Sequence, residues 1–172
     1  MKRLNALVVL LVVSFSLNAK ASILDLSQGT LSLGGSASVT LNTTTDVHAL
    51  RVAPAFGYFL SDNVELAFSV QYSNDLGSES GSLLGAGIGV LGYLDLGSAL
   101  LKSGGVFAVY GSFYNGDTAT ILELTVPLML VFPLSPGVAV NTGLMVQIFI
   151  APEGGDPMVQ LPLGFLGVSA YY

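Results

Sequence analysis

We first consider serine–histidine catalysis, because the histidine of this chain lies close to an acidic residue that could orient it. A Ser–His mechanism needs a base next to its nucleophile. His48 is the only histidine in the 172 residues, and Asp46 stands two residues before it. The sequence places no serine beside His48, since Leu50 occupies the position two residues further on. We therefore interpret His48 as a solvated histidine and predict no catalytic residue.

Metal and cofactor sites are disfavoured by the residue types. The chain has no cysteine, which excludes disulfides, thiolate metal sites and cysteine nucleophiles together. Glu153 and Asp156 could ligate calcium, but the glycines and proline around them favour an ordinary polar turn. Gly85, Gly87 and Gly89 are spaced like a phosphate loop, yet no helix follows them to supply amide donors. Small residues that line a narrow interior explain these glycines better, and we predict no metal and no cofactor.

The N-terminus has the features of a cleavable signal peptide. A positively charged start precedes an apolar core from Leu7 to Leu17, and Ala19-Lys20-Ala21 fits the small-x-small cleavage rule. We predict a signal peptide over residues 1–21 and a mature domain over residues 22–172. A retained anchor is the weaker alternative, because the apolar core is too short to span a bilayer. Cleavage would leave two cations against eleven acids, a net charge of −9, which disfavours any nucleic acid partner.

The composition requires apolar surroundings, and the residue pattern indicates strands. Hydrophobic residues make up 52% of the chain and charged residues only 9%, against about 25% charged in soluble domains. After residue 21 no apolar run approaches the roughly 18 residues of a spanning helix. Apolar residues instead alternate with small or polar ones, as strands between two solvents do. Eight segments are predicted: Thr30–Asn42, His48–Leu60, Val64–Tyr72, Leu83–Leu94, Val106–Tyr114, Thr118–Phe132, Val138–Ile150 and Val159–Tyr172.

These segments are long enough to cross a bilayer, and their connections suit a barrel. Backbone groups in hydrocarbon must be paired, so strands there have to close into a ring. Short turns such as Ser61–Asn63 would join one end, and longer polar loops the other. The connection Gly97–Gly104 is an exception, in which we expect a helical turn at the interface. The predicted fold is all-β, an eight-stranded antiparallel up-and-down transmembrane β-barrel. Aromatic residues near segment ends are expected to form interfacial girdles: Tyr58, Phe59, Tyr72, Tyr93, Phe113, Tyr114, Phe132, Tyr171 and Tyr172.

One ion pair is predicted inside this barrel. An eight-stranded barrel is just wide enough for side chains to fill, so an open pore is not expected. Arg51 is the only cation predicted to point inward. Segments two and six lie opposite each other in a ring of eight, which lets Arg51 meet Glu123 across the lumen. Such a pairing would compensate the cost of burying either charge alone.

Prolines and a change of phase interrupt the pattern. Pro54, Pro127 and Pro162 fall in even-numbered segments, where proline removes a backbone donor. We expect bulges at these sites or shorter strands. The last segment changes its alternation, which a bulge near Gly164 or Gly167 would reconcile.

Two motifs carry a resemblance to a known family. Val52–Leu66 contains Pro-x-x-Gly-Tyr-Phe-x-x-Asp-Asn and resembles the outer-membrane β-barrel domain family, the OmpA/OmpX-like small barrels. The C-terminus Val168–Tyr172 resembles the assembly signal of that family, with Tyr172 where phenylalanine is usual. The resemblance implies a place in the Gram-negative outer membrane, in contact with lipid and lipopolysaccharide. It also implies insertion by the barrel-assembly machinery, and we expect a monomer.

Three function classes remain open. The favoured one is a non-enzymatic barrel with a structural, adhesive or surface-exposed role. Some small barrels are lipid A deacylases or palmitoyltransferases, but the deacylase pattern His-x-Ser is absent at His48. The third class is a periplasmic lipocalin-like binder, which would need its apolar side chains inside. The polar face of Val64–Tyr72 argues against that class.

Overall fold

The described part of the protein consists almost entirely of β-strands. The computed structural model describes residues 24–42, 47–75, 81–114, 117–150, 157–161 and 163–172. No helix within these ranges is long and apolar enough to cross a membrane. The strands, in chain order, are β1 (Leu31–Asn42), β2 (Val47–Ser61), β3 (Val64–Asp75), β4 (Gly81–Asp95), β5 (Leu100–Tyr114), β6 (Asp117–Ser135), β7 (Val138–Ile150), β8 (Met158–Gln160) and β9 (Leu163–Tyr171).

These strands close into one antiparallel barrel. Each strand from β1 to β7 pairs with its neighbour in the chain, and β9 pairs with both β7 and β1. The short strand β8 pairs with β7 above β9, so β8 and β9 together make the eighth strand of the wall. The predicted eight-stranded antiparallel barrel is therefore confirmed. In this last strand, β8 ends at Gln160 and β9 begins at Leu163.

The two faces of the wall meet different surroundings, as the period-two pattern predicts. Along β2, Val52, Phe56 and Tyr58 point outward and are exposed, whereas Phe59 between them and the turn is buried. The same alternation holds on the other strands, so large apolar side chains form a continuous outer belt. Polar side chains are buried on the inner face. A water-soluble domain has the reverse arrangement, and a transmembrane barrel has this one.

The two ends of the barrel differ in their connections. At the end that we call the turn end, Asp62-Asn63 and Pro136-Gly137 join their strands with two residues each. Asn63 has a positive φ of 64°, a left-handed conformation that asparagine adopts more readily than most residues. At the opposite end, the loop end, the strand bounds leave four, five, two and seven residues between strands. Residues 24–30 and Tyr172 lie at the turn end, next to the backbone of Phe59 and Leu31.

The helical turn expected in Gly97–Gly104 is wrong. Strand β5 begins at Leu100, and only residues 96–99 form the connection. Leu96 N donates to Ala99 O at 2.9 Å, and Asp95 Oδ1 accepts the amide of Gly97 at 2.7 Å. The alternation of inward and outward residues continues through Gly104 and Gly105, but it is not visible in the sequence because glycine has no side chain. As a result, Lys102 lies in a strand and not in a surface connection.

Pro54 and Pro127 are accommodated without bulges, contrary to the expectation. On either side of Pro54, the β2–β3 register is unchanged between Val52–Tyr72 and Ala55–Ser69. Only the pairs in between are missing, and Pro54 keeps its pairing with Gly35 on the other side. Pro127 likewise pairs with β7 and interrupts only the ladder to β5. A proline thus removes rungs on one side of its strand without shifting the register.

The bulge predicted near Gly164 is confirmed. Along the β7–β9 ladder, Gly143 pairs with Phe165 and Leu144 pairs with Leu163, so Gly164 is an extra residue. This extra residue changes the phase of the last segment. Pro162 lies outside the described residues.

Candidate functional site in the barrel lumen

A buried carboxylate near the turn end gathers three donors around it. Glu65, the second residue of β3, is 2% exposed. Its Oε2 lies 2.8 Å from Lys102 Nζ and accepts the Tyr93 hydroxyl at 2.6 Å. Its Oε1 accepts a hydrogen bond from the Ser32 hydroxyl. We call these four residues the Glu65 cluster, and every donor in it comes from a different strand.

The geometry of the Glu65 cluster depends on a glycine and an aromatic ring. A Cβ at Gly57 would overlap the Glu65 carboxylate and the Ser32 hydroxyl, so only glycine leaves room for the carboxylate there. Lys102 Nζ lies 4.9 Å from the centre of the Tyr93 ring, in range of a cation–π interaction. Both oxygens of Glu65 are therefore engaged. Such a carboxylate is held as a structural anion and is not available as a general base.

Sequence reasoning missed Lys102, because strand five was predicted to start at Val106. The prediction that Arg51 is the only inward cation is consequently wrong. The in–out alternation of the strand could have identified Lys102. Val106, Ala108 and Tyr110 line the lumen. Lys102 is in phase with them, four residues before Val106.

A second cluster lies nearer the loop end and contains the predicted pair. Arg51 Nη2 stands 3.8 Å from Glu123 Oε2, so the structure brings these two residues together across the lumen. Arg51 Nη1 also donates to Gln147 Oε1 at 3.3 Å. Gln147 Nε2 donates to Glu123 Oε1 at 2.8 Å, and the Thr125 hydroxyl donates to the same oxygen. We call these four residues the Glu123 cluster.

The two clusters differ in how tightly their charges are held. The side chain of Arg51 is 26% exposed, whereas that of Lys102 is 10% exposed. The Arg51–Glu123 separation is 1.0 Å longer than the Lys102–Glu65 one, being 3.8 Å against 2.8 Å. A partly exposed and longer ion pair contributes less to stability. The Glu65 cluster is therefore the stronger of the two cross-links.

A cavity of about 440 Å³ occupies the lumen between and around the clusters. Its walls include the charged residues of both clusters and many small residues. Four buried side-chain oxygens have no hydrogen-bond partner among the described residues: Ser103 Oγ, Glu123 Oε2, Asn141 Oδ1 and the Tyr171 hydroxyl. The amide nitrogen of Asn141 does have a partner, since it donates to the Ser169 hydroxyl at 2.7 Å. Of these four residues, Glu123 and Asn141 line the cavity.

An apolar plug closes the lumen at the turn end. Its core is the tilted pair Phe59–Tyr93, with ring centroids 5.4 Å apart, and Tyr171 packs 6.3 Å from Phe59. The plug comprises Leu24, Leu26, Phe59, Tyr93, Leu100, Val131, Ala139 and Tyr171. Leu24 and Leu26 reach it from the segment before β1, which is tied down by hydrogen bonds. Asn63 N donates to Leu26 O at 3.0 Å, and Gln28 N donates to Asp62 Oδ1 at 3.1 Å.

A local hydrogen bond also orders residues 25–27 of that N-terminal segment. Ser27 donates its amide to Asp25 Oδ1 at 3.0 Å. Hydrogen bonds from the Ser27 side chain and amide hold the pKa of the Asp25 carboxyl below its ordinary value. Asp25 is solvent-exposed, so this contact organises the turn and adds little to stability.

The plug corrects part of the predicted aromatic girdle. Tyr58, Tyr72, Phe113, Phe132 and Tyr172 are exposed on the outside, as a girdle requires. Phe59, Tyr93 and Tyr171 instead point inward and are buried in the plug. These three residues occupy inward positions of the alternation, and a sealed barrel end offers them an apolar site. The Tyr114 side chain lies outside the described part.

The structure also places several other residues that the sequence analysis singled out. Tyr172 is exposed at the end of the chain, and its backbone exchanges two hydrogen bonds of 2.9 Å with Leu31. His48 pairs through its backbone with Leu41, and its side chain is outside the described part. Asp46, Glu153 and Asp156 lie outside the described residues. Gly85, Gly87 and Gly89 belong to β4: a Cβ at Gly87 would lie 3.0 Å from the Ser69 hydroxyl, which lines the cavity.

The fold and its interior together define a class: a small transmembrane β-barrel with a charge-paired, plugged lumen. No protein-family model matches the chain, and no curated protein matches it.

Among solved structures, the chain is similar to the N-terminal β-barrel domain of Pseudomonas aeruginosa OprF, with a TM-score of 0.48 and 15% identity over 84% of this chain and 98% of that one. It is similar to Neisserial surface protein A (NspA), with a TM-score of 0.45 and 13% identity over 83% and 94% of the two chains. A de novo designed transmembrane β-barrel gives a TM-score of 0.40 and 17% identity over 85% and 98%. The class assignment rests on the strand pairing and outer belt of the chain itself.

Proposed function

We propose that the protein is a non-enzymatic outer-membrane barrel with a structural role. The observation that carries this proposal is the combination of an apolar outer belt with charges paired inside. A wall of this kind is stable only when hydrocarbon surrounds it. The same observation argues against the lipocalin-like alternative, which needs its apolar side chains inside.

The plugged lumen supports a structural role over a pore. The plug covers the turn end, and two charge clusters bridge strands above it. An ion that crossed the barrel would have to displace Phe59 and Tyr93 and pass both ion pairs. We infer that the barrel conducts little or nothing in this state.

The short connections support a structural role over an adhesive one. At the loop end the longest connection between strands has seven residues, and the shortest has two. Adhesion to another surface requires chain that extends beyond the lipid headgroups, as the longer loops of outer-membrane barrels do. Connections of two to seven residues therefore favour a structural role over an adhesive one.

The partners that we propose follow from an outer-membrane location. Outer-membrane lipid and lipopolysaccharide would surround the belt, and the protein would act as a monomer without nucleic acid. The barrel-assembly machinery would insert it, recognising the last strand and Tyr172. A signal peptide over residues 1–21 would direct export. The enzymatic alternative, a lipid A-modifying barrel, stays a prediction that depends on His48.

Heat-modifiable migration of the full-length gene product tests the proposal. We expect the protein in outer-membrane fractions, with a faster-migrating unheated band that shifts on boiling. The mature N-terminus should be Ser22. Recovery in the soluble periplasmic fraction without detergent would overturn the proposal. A changed lipid A profile that reverts in His48→Ala would replace the structural role with an enzymatic one.

A further inference from the structure

The two ends of the lumen cavity differ in their chemistry and in their exposure. Glu123 pairs with Phe149 on β7, and Asn141 lies eight residues before Phe149 on the same strand. At about 3.3 Å per residue, this spacing is roughly 26 Å. The unpartnered acceptors Glu123 Oε2 and Asn141 Oδ1 therefore lie at opposite ends of the cavity. Solvent reaches the Glu123 end, since the Arg51 side chain is 26% exposed, whereas the plug covers the other end.

Two further polar side chains belong to the Glu123 end. Gln71 and Tyr110 both line the cavity, and both pair through their backbones with Gly85. The Tyr110 ring lies over Gly85, where a Cβ would overlap it. Tyr110 is two residues from Ala108, the cross-strand partner of Glu123. We call the Glu123 cluster together with Gln71 and Tyr110 the Glu123 pocket.

The charges that line the cavity are balanced, which selects a neutral ligand. Glu123 is paired with Arg51, and Glu65 is paired with Lys102. An ion that entered would compete for one member of a pair and leave the other member without compensation, which is costly in a buried site. A neutral ligand leaves both pairs intact.

The walls of the cavity offer hydrogen bonds on one side and apolar contact on the other. Strands β1 and β3 contribute Ser36 and Ser69, whereas β5, β6 and β7 contribute Val106, Pro127 and Met145. A small solute with both hydroxyl and C–H surfaces matches such walls. The cavity volume of about 440 Å³ lies within the range of small-molecule pockets, roughly 300–1,000 Å³.

We propose that the Glu123 pocket binds a neutral polyol of monosaccharide size. One ligand hydroxyl donates to Glu123 Oε2, a buried acceptor that requires a donor. A neighbouring hydroxyl accepts from Arg51 or bonds Gln71, while C–H groups of the ligand pack on the Tyr110 ring. A polyol suits this set because each hydroxyl both donates and accepts, so adjacent hydroxyls serve a carboxylate and a guanidinium together. This binding function goes beyond the structural role proposed above and does not depend on it.

Equilibrium dialysis tests the pocket with two neutral probes, radiolabelled D-glucose and myo-inositol. The purified full-length gene product would be kept in lauryldimethylamine oxide micelles, because this detergent has no sugar headgroup to compete. We expect saturable binding of at least one probe, with one molecule per chain. At pH 6, glucosamine and glucose 6-phosphate should bind at least about tenfold more weakly than glucose, since each keeps the sugar ring but adds an uncompensated charge.

Three variants locate the site, and the heat-shifted band checks that each is folded. Glu123→Gln keeps the size of the side chain and removes the charged acceptor, so the affinity should fall about ten- to hundredfold. Gln71→Met removes an amide that belongs to neither charge cluster, and the affinity should fall about two- to tenfold. Asn141→Leu is the matched control: it removes the acceptor at the covered end and should bind with the affinity of the parent.

Each outcome decides the proposal. Affinity that falls in Glu123→Gln and Gln71→Met but not in Asn141→Leu supports it. If neither probe binds saturably, the cavity holds water alone and the proposal is wrong. Equal or tighter binding of a charged sugar would refute the neutral class. Weakened binding in Asn141→Leu beside full affinity in Gln71→Met would refute the placement at the Glu123 end. Should Glu123→Gln fail to fold, the comparison of Gln71→Met with Asn141→Leu still decides.

Discussion

Replacement of Lys102 by methionine should destabilise the barrel by leaving the Glu65 carboxylate buried without its cation. Lys102 Nζ lies 2.8 Å from Glu65 Oε2, and Glu65 is almost fully buried. Removal of one partner of a buried ion pair typically costs about 3–5 kcal/mol. The hydroxyls of Tyr93 and Ser32 still solvate the carboxylate, which places Lys102→Met near the lower limit, about 3 kcal/mol.

The reverse change is expected to have a similar cost for a different reason. Glu65→Gln keeps an acceptor oxygen for one of the two hydroxyls, replaces the other oxygen with an NH₂ group that only donates, and leaves the Lys102 ammonium unpaired. The Tyr93 ring at 4.9 Å compensates only part of this loss, roughly 1–2 kcal/mol. The double variant contains neither charge and should lie within about 1 kcal/mol of the parent protein. The coupling energy between the two sites should therefore exceed about 2 kcal/mol.

The assay is thermal and urea unfolding in detergent micelles, followed by the gel shift of the folded band. For a chain of this size 1 kcal/mol shifts the midpoint by about 2–4 °C, so Lys102→Met should lower it by roughly 6–12 °C. The double variant should recover most of that loss. If Lys102→Met costs less than about 1 kcal/mol, or the two single effects add, the charge pair does not hold the strands together as argued.

Three other predictions follow from the lumen and its ends. Arg51→Met should cost less than Lys102→Met, roughly 1 kcal/mol, because the pair is longer and partly exposed; equal heat stability to the parent would show that this pair does not matter. Gly57→Ala should cost about 1–3 kcal/mol by displacing the Glu65 carboxylate, whereas Gly105→Ala, with nothing within 4 Å of the new Cβ, should leave urea unfolding unchanged. Leu26→Asp should loosen the plug and raise the conductance of reconstituted protein, and a bilayer recording identical to the parent would contradict the plug.

The outer belt was predictable because lipid and lumen impose opposite demands on alternate residues. On β3, Leu66, Phe68 and Val70 face one way, and Glu65 and Ala67 face the other, over an unbroken run. A period of two leaves only the choice of which side is apolar. Composition decides that choice, since 9% charged residues cannot cover a water-facing surface.

The inward position of the plug aromatics was mispredicted because we assigned all aromatic residues near strand ends to the membrane interface. That assignment disregarded the in–out alternation of the strands. Tyr58 and Phe59 are adjacent, so only one of them can face outward. Tyr93 has the same parity as Gly89 and Leu91, which are buried on the inner face. Position near a strand end suggested a girdle for all of them. Alternation alone would have placed Phe59 and Tyr93 inside.

The remaining features depend on contacts between distant residues, which no local pattern contains. Lys102 and Glu65 are 37 positions apart, and Ser32 and Glu65 are 33 positions apart. Whether Pro54 causes a bulge depends on which neighbouring strand the missing N–H group would have faced. Each of these is a property of the closed ring and not of a single strand.

The placement of the cations has a consequence for proteolysis. Beyond residue 21 the chain contains only two basic residues, Arg51 and Lys102, and both point into the lumen. Trypsin cleaves only after lysine and arginine, so a folded barrel offers it no accessible peptide bond within residues 22–172. An unfolded chain offers two. Survival of the intact band under trypsin thus reports the folded fraction directly, without a label or an antibody.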